Sequence, residues 1–130
     1  MLNKRNFYIS GKWVAPFKEK DFKVINPSSE EPFATISLGG KEDLDAAVKV
    51  AKNAFIKWKE TTKEERINLL DKLLTIYKKR SNEMSEAISM EMGSPIDYSI
   101  STHTTSGQSH LEDFILRLKE FDFEEHFDSK

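Results

Sequence analysis

The sequence contains no cysteine. That absence excludes disulfides, thiolate zinc sites and a cysteine nucleophile in one step. Nor is there an apolar run approaching the ~20 residues of a membrane-spanning helix. The first residues, Met1-Leu2-Asn3-Lys4-Arg5, are basic but have no apolar stretch behind them, so no secretory signal is read there. The expected location is therefore cytoplasmic, and no membrane partner is expected. An excess of charge is missing too: 20 Lys and Arg stand against 22 Asp and Glu, a net charge of −2. Without a basic stripe, nucleic acid has no electrostatic footprint here. The chain also lacks an internal repeat, a low-complexity tract, a Gly-x-Gly-x-x-Gly or Gly-Lys-Ser/Thr phosphate loop and a Gly-x-Ser-x-Gly elbow.

What is present is 130 residues, 38% hydrophobic and 32% charged, the profile of one soluble globular domain with a modest core. The stretch from Thr62 to Pro95 is the most clearly written. Thr62-Lys63-Glu64-Glu65 is a capping box. Ile67, Leu70, Leu74, Tyr77, Met84 and Ile88, with Leu73 beside them, recur at helical intervals, and Gly93 followed by Pro95 marks the end. This predicts a helix over Thr62–Met92. Lys41–Lys59 predicts a second: Leu44, Ala47, Val48, Ala51, Phe55 and Trp58 form its stripe, and Glu42, Asp43 and Asp45 crowd the end that favours acids. A third is expected over Pro95–Lys119, interrupted around Thr104 to Gly107, where Thr and Gly are poor helix formers.

Before the helices, residues 6–38 read as strands. Phe7-Tyr8-Ile9 and Trp13-Val14 flank a Ser10-Gly11 hairpin turn, Phe22 to Ile25 stops at Asn26-Pro27, and Phe33 to Leu38 alternates. Residues 121–130, with Phe121, Phe123 and Phe127 among acids, read as the start of a strand. The fold class is α+β: a short hairpin or meander followed by three helices.

Residue chemistry alone assembles no active site. His103 and His110, seven apart with Glu112 and Asp113 nearby, are two potential metal ligands without a third at convincing spacing, and surface histidines are the simpler reading. Ser109, His110 and Asp113 make a triad only on paper, because neighbours on a helix point different ways. Gly39-Gly40 ahead of a helix offers an anion its N-terminus, but a plain connector is the simpler reading. Glu124-Glu125 reads as a solvated strand face, and Trp13, Phe55 and Trp58 as core.

Taken together, the segments resemble one family. Phe7-Tyr8-Ile9-Ser10-Gly11-Lys12-Trp13-Val14, Val24-Ile25-Asn26-Pro27, Ala34-Thr35-Ile36, Asp43-Leu44-Asp45-Ala46-Ala47-Val48, Ala51-Lys52-Asn53-Ala54-Phe55 through Trp58, Glu65-Arg66 and Glu91-Met92-Gly93-Ser94-Pro95-Ile96 are similar, in order and spacing, to the opening of NAD(P)-dependent aldehyde dehydrogenases. The resemblance runs from Phe7 to Asp128. It implies part of the α/β fold of those enzymes, without the complete Rossmann-type and catalytic domains. It implies a full-length enzyme that oxidises aldehydes to carboxylic acids with NAD or NADP through a cysteine thiolate, and none of that machinery lies here. No cofactor is expected in this chain, nor activity from it alone. It also implies a strand arm beginning at Phe121 to Lys130, homo-oligomers in the full-length family, and a structural monovalent cation near Val24, Ile25 and Glu91. Partners are then the remainder of such a chain, or further copies of this one. The alternative reading is a small non-enzymatic helical interaction module, or a subunit assembling with a separate catalytic chain. In either case the half-covered helix faces predict that the isolated chain is poorly folded or self-associates.

Overall fold

Aromatic and β-branched residues in short runs, each stopped by a turn, give four of the five strands ahead of the helices. The computed structural model describes residues 1–127 of the chain. Strands β2 (Phe7–Ile9) and β3 (Lys12–Val14) form an antiparallel hairpin pairing Phe7 with Val14 and Ile9 with Lys12. Its turn places Ser10 at φ 56° and Gly11 at φ 75°. Two left-handed residues in succession match the twist of the flanking strands. β4 (Asp21–Asn26) and β5 (Glu31–Ser37) are antiparallel, joined by a turn in which Glu30 N donates to Asn26 O at 2.8 Å and Ser28 N to Asn26 Oδ1 at 2.9 Å. The asparagine side chain thus reproduces a backbone turn contact, as Asx turns do. β1 (Leu2–Lys4) adds in parallel to the far side of β5. Leu2-Asn3-Lys4 carries no strand signal of its own, and β1 was not expected. With neighbours on both sides, β5 supplies the buried Ala34, Thr35 and Ser37.

Helix α1 spans Lys41–Trp58, α2 Lys63–Lys79 and α3 Ser81–Met92. The single helix expected over Thr62–Met92 is therefore two, parted at Arg80 (φ −106°, ψ 16°). The physical cause lies in the next residues: Ser81 and Asn82 are poor helix formers, and Ser85 Oγ donates back to Ser81 O at 3.0 Å, a contact that bends helices. At the other end of α2 the capping box is formed, with Glu65 N on Thr62 Oγ1 at 3.1 Å and Thr62 N on Glu65 Oε2 at 2.8 Å.

The third predicted helix is continuous in hydrogen bonding but changes pitch. α4 (Ile96–Tyr98) leads into a π-helical turn, Ser99–Thr104, and then α5 (Thr105–Glu120). The interruption lies earlier than the expected Thr104 to Gly107, and it widens the helix rather than ending it. Residues 121–127 are not a strand. A strand needs a partner ladder, and no strand pairs with this segment among the described residues. Of the expected strand, residues 128–130 lie outside the described residues.

The chain divides into two units, residues 1–60 with 87–95, and 61–86 with 96–130. In the first, the sheet is the packed element, and α1 buries none of its residues. In the second, α5 packs on α2 and buries Ile115 and Leu118. Large apolar side chains elsewhere are open: Leu44 is 62% exposed, Phe55 58% and Leu73 50%. The accessible surface, 10576 Å² for a chain of 15.0 kDa, exceeds the roughly 8,500 Å² that two separate globules of half this mass would show. Apolar surface is left uncovered on a scale that self-contained domains avoid.

Candidate functional site

The start of α1 is the first place where a ligand was conceivable. Its anion position is already filled from within. Asp43, in the first turn, accepts from Gly40 N at 2.9 Å through Oδ2 and from Phe17 N at 2.7 Å through Oδ1. These backbone donors, Gly40 first, hold the Asp43 carboxyl below its ordinary pKa. Gly39-Gly40 is thus a connector whose helix end is closed by its own carboxylate.

His103 and His110 do not form a metal site. No group of three or more His, Cys, Asp or Glu able to hold a metal ion occurs among the described residues. His103 lies edge-on to Tyr98, with ring centroids 5.1 Å apart. Glu112 is held by Lys78 Nζ at 2.6 Å and accepts from Gln108 Nε2 at 3.2 Å; the lysine first, then the glutamine, lowers its pKa. Asp113 pairs with Arg117 at 3.4 Å, and no hydrogen bond joins Ser109, His110 and Asp113 to one another. The paper triad is three exposed residues on the surface of a helix.

Val24 and Ile25 sit where β4 slips register against β5, the shift falling between them. A bulge leaves local backbone groups outside the regular ladder. Glu91 is exposed, in the last turn of α3. Two residues later Gly93, at φ 69°, lies so near Pro27 that a Cβ there would stand 3.0 Å from Pro27 Cβ. The helix end carrying Glu91 therefore meets the turn that follows Val24 and Ile25. That turn and helix end belong to the Asn26-Pro27 and Glu91-to-Ile96 phrases of the sequence.

A polar cluster missed in the sequence lies in the second unit. Tyr77 Oη donates to Thr104 O at 2.9 Å, and Thr104 Oγ1 and Ser85 Oγ share a hydrogen bond of 2.7 Å. Ser85, Ser99 and Thr104 are all buried, and Ser99 Oγ has no partner. Gly107 makes room for Tyr77, whose Oη would stand 2.5 Å from a Cβ at that position. Its small polar members stand on α3 (Ser85) and in the π-helical turn (Ser99 and Thr104). In the sequence, Thr104 and Gly107 signal only poor helix propensity. Hydroxyls with no neighbouring base do packing work, not nucleophilic chemistry.

With the local geometry giving no reaction centre, likeness to known proteins decides the family. The sequence model of the aldehyde dehydrogenase family matches residues 13–128. The chain belongs to the aldehyde dehydrogenase family. A 3-succinoylsemialdehyde-pyridine dehydrogenase from a Pseudomonas species is 36% identical over 126 residues, 96% of this chain and 26% of that protein. A crystal structure of an aldehyde dehydrogenase from Bartonella henselae is similar at 50% identity and TM-score 0.94, covering 95% of this chain and 26% of its own. A mutant of aldehyde dehydrogenase C from Pseudomonas syringae, in complex with NAD+ and octanal, is similar at 30% identity and TM-score 0.93, with 95% and 26% covered. The chain thus spans about a quarter of the length of these relatives and matches their N-terminal part. No helix among the described residues is long and apolar enough to cross a membrane.

Proposed function

We propose that this chain serves as the N-terminal scaffold of an NAD(P)-dependent aldehyde dehydrogenase whose chemistry lies in the remainder of the protein. The observation that carries this reading is the open apolar face of α1 on a chain that matches aldehyde dehydrogenases along nearly its whole length. Leu44, Val48 and Phe55 form a helical stripe that stays exposed. Burying such a side chain contributes about 1.5–3 kcal/mol, so the three together make a substantial docking surface for the rest of the enzyme. That remainder would hold NAD or NADP, which would supply the hydride acceptor for oxidising an aldehyde to the acid. The complex of the similar Pseudomonas syringae protein with NAD+ supports a nicotinamide cofactor for the whole protein.

Within this reading the residues here position rather than react. Val24 and Ile25, through main-chain oxygens, and Glu91, through its carboxylate, are the proposed holders of a structural monovalent cation. The bulge at Val24 and Ile25 and the contact of Gly93 with Pro27 support it. Homo-oligomers and a cytoplasmic location belong to the same reading. The independent interaction module is disfavoured, because a fold this close to part of larger enzymes leaves its own helix faces bare.

The test is to purify the chain, mix it with NAD or NADP and a panel of aldehydes, and follow absorbance of the reduced cofactor. No turnover above a heat-killed control is expected, since nucleophile, base and cofactor cradle are all outside this chain. Sedimentation should show concentration-dependent association. Sustained turnover, or a monomer with a sharp, concentration-independent thermal transition, would overturn the scaffold reading.

A further inference from the structure

Lys63 occupies the first position of α2, where a cation opposes the helix dipole. Its ammonium reaches away from its own helix. Nζ donates to the carbonyls of Lys119 and Phe121, each at 3.2 Å. Both lie where α5 ends, and the last carbonyls of a helix lack intrahelical partners and carry the negative end of its dipole. One turn further along α2, Arg66 places Cζ 5.7 Å from the centroid of the Phe123 ring. Phe121 and Phe123 meet edge to face, with centroids 5.0 Å apart. The usual left-handed glycine after a helix is missing here: the residue after Glu120 is Phe121, in extended backbone at φ −77° and ψ 127°.

We infer that the first turn of α2 is a clamp on the chain as it leaves α5. Lys63 caps α5 from outside in place of a glycine motif, and Arg66 holds the Phe123 ring by a cation–π contact. The clamp explains two features at once. A lysine at an unfavourable position on one helix becomes favourable at the end of another. The chain leaves α5 without a strand partner, and its first carbonyl beyond the helix, that of Phe121, is bonded to a side chain instead. Held this way, Phe121 and Phe123 close one side of an apolar hollow of about 210 Å³ with Phe114, Arg117 and Leu118. The inference does not depend on the enzyme reading.

The experiment is hydrogen exchange by mass spectrometry on the full chain, compared with Lys63→Met, Lys63→Gln and Lys63→Arg. In the unaltered chain, amides of Leu118 to Phe121 should be protected relative to the urea-unfolded chain. In Lys63→Met and Lys63→Gln they should exchange about tenfold faster, with Leu111 to Ile115 unchanged, since opening is confined to the last turn. Trypsin should cut after Lys119 faster in both, because the carbonyl that accepts from Lys63 belongs to the scissile bond. Lys63→Arg, which retains the donors, should keep the slow exchange. Unprotected amides in the unaltered chain would overturn the clamp. So would unchanged exchange in the two neutral variants, or a uniform loss of protection throughout α2 and α5.

Discussion

α1 and α5 are helices of similar length and similar amphipathic pattern, yet one buries nothing and the other anchors its unit. α5 sets Ile115 and Leu118, at 4% and 9% exposure, against α2. α1 turns Leu44, Val48 and Phe55 to open surface. Periodicity states which face of a helix wants cover; it does not state whether the cover belongs to the same stretch of chain. In α1 the cover is proposed to be the rest of an aldehyde dehydrogenase, and the helix is held in the meantime by polar ties at its N-terminus.

The strongest way to break the comparison is to truncate both stripes. Ile115→Ala or Leu118→Ala should destabilise the second unit by about 2–5 kcal/mol, the range for buried aliphatic deletions. Leu44→Ala or Phe55→Ala in the isolated chain should stay within about 0.5 kcal/mol, as for surface positions. Urea unfolding followed by circular dichroism measures both. If the α1 substitutions were as costly as the α5 ones, α1 would have a covering partner in the isolated chain.

A smaller effect is expected at Gly107, where α5 passes Tyr77. Alanine is worth about 1 kcal/mol over glycine in a helix interior. A methyl at this position meets Tyr77 Oη at 2.5 Å, and that hydroxyl is fixed by its bond to Thr104 O. Overpacking of this kind costs about 1–3 kcal/mol, so the clash should win and Gly107→Ala should lower the thermal midpoint. Adding Tyr77→Phe removes the clashing oxygen. The double variant should be more stable than the sum of the two single changes predicts, a coupling read from a double-mutant cycle.

These contrasts show what the residues disclosed and what they concealed. Thr62 and Glu65 announced the start of α2, and Lys41 to Trp58 announced α1, because caps and apolar spacing act within a few residues. Arg80 as a break was concealed: the apolar spacing runs on from Tyr77 to Met84, while the bend comes from Ser81 and Ser85, whose contact is local but carries no apolar signal. β1 was concealed because its place is set by β5, far away in sequence, where Leu2 pairs with Ala34. Phe121 to Phe127 misled, since a strand-like alternation is silent about whether a partner exists. At the site level, Glu91, Val24 and Ile25 came from family likeness; main-chain oxygens leave no trace in residue identity. The fate of Asp43 was half legible: its place in the first turn was plain, its bond to Phe17 was not.

Asp43 gives the finest test of the contrast, because it measures what holds α1 where apolar burial does not. Its carboxylate accepts from Gly40 N and Phe17 N, and both bonds favour the charged form. The pKa in the folded chain is therefore below the ordinary 3.8. A carboxyl whose pKa is lower folded than unfolded stabilises the fold at pH above the unfolded value. That contribution fades as pH falls from there through the folded pKa. Asp21, lowered mainly by its hydrogen bond from Arg5, acts in the same direction, so the comparison must be made against the unaltered chain rather than in isolation. Asp43→Asn should lose a little stability at neutral pH and should flatten the acid limb of the stability curve below pH 3.8. The amide keeps one acceptor oxygen, so the two backbone donors can no longer each have an oxygen of their own. Thermal midpoints taken at intervals from neutral to acid pH give the measurement. A variant whose acid limb is as steep as the parent's would mean that Asp43 does not tie the Phe17 loop to α1.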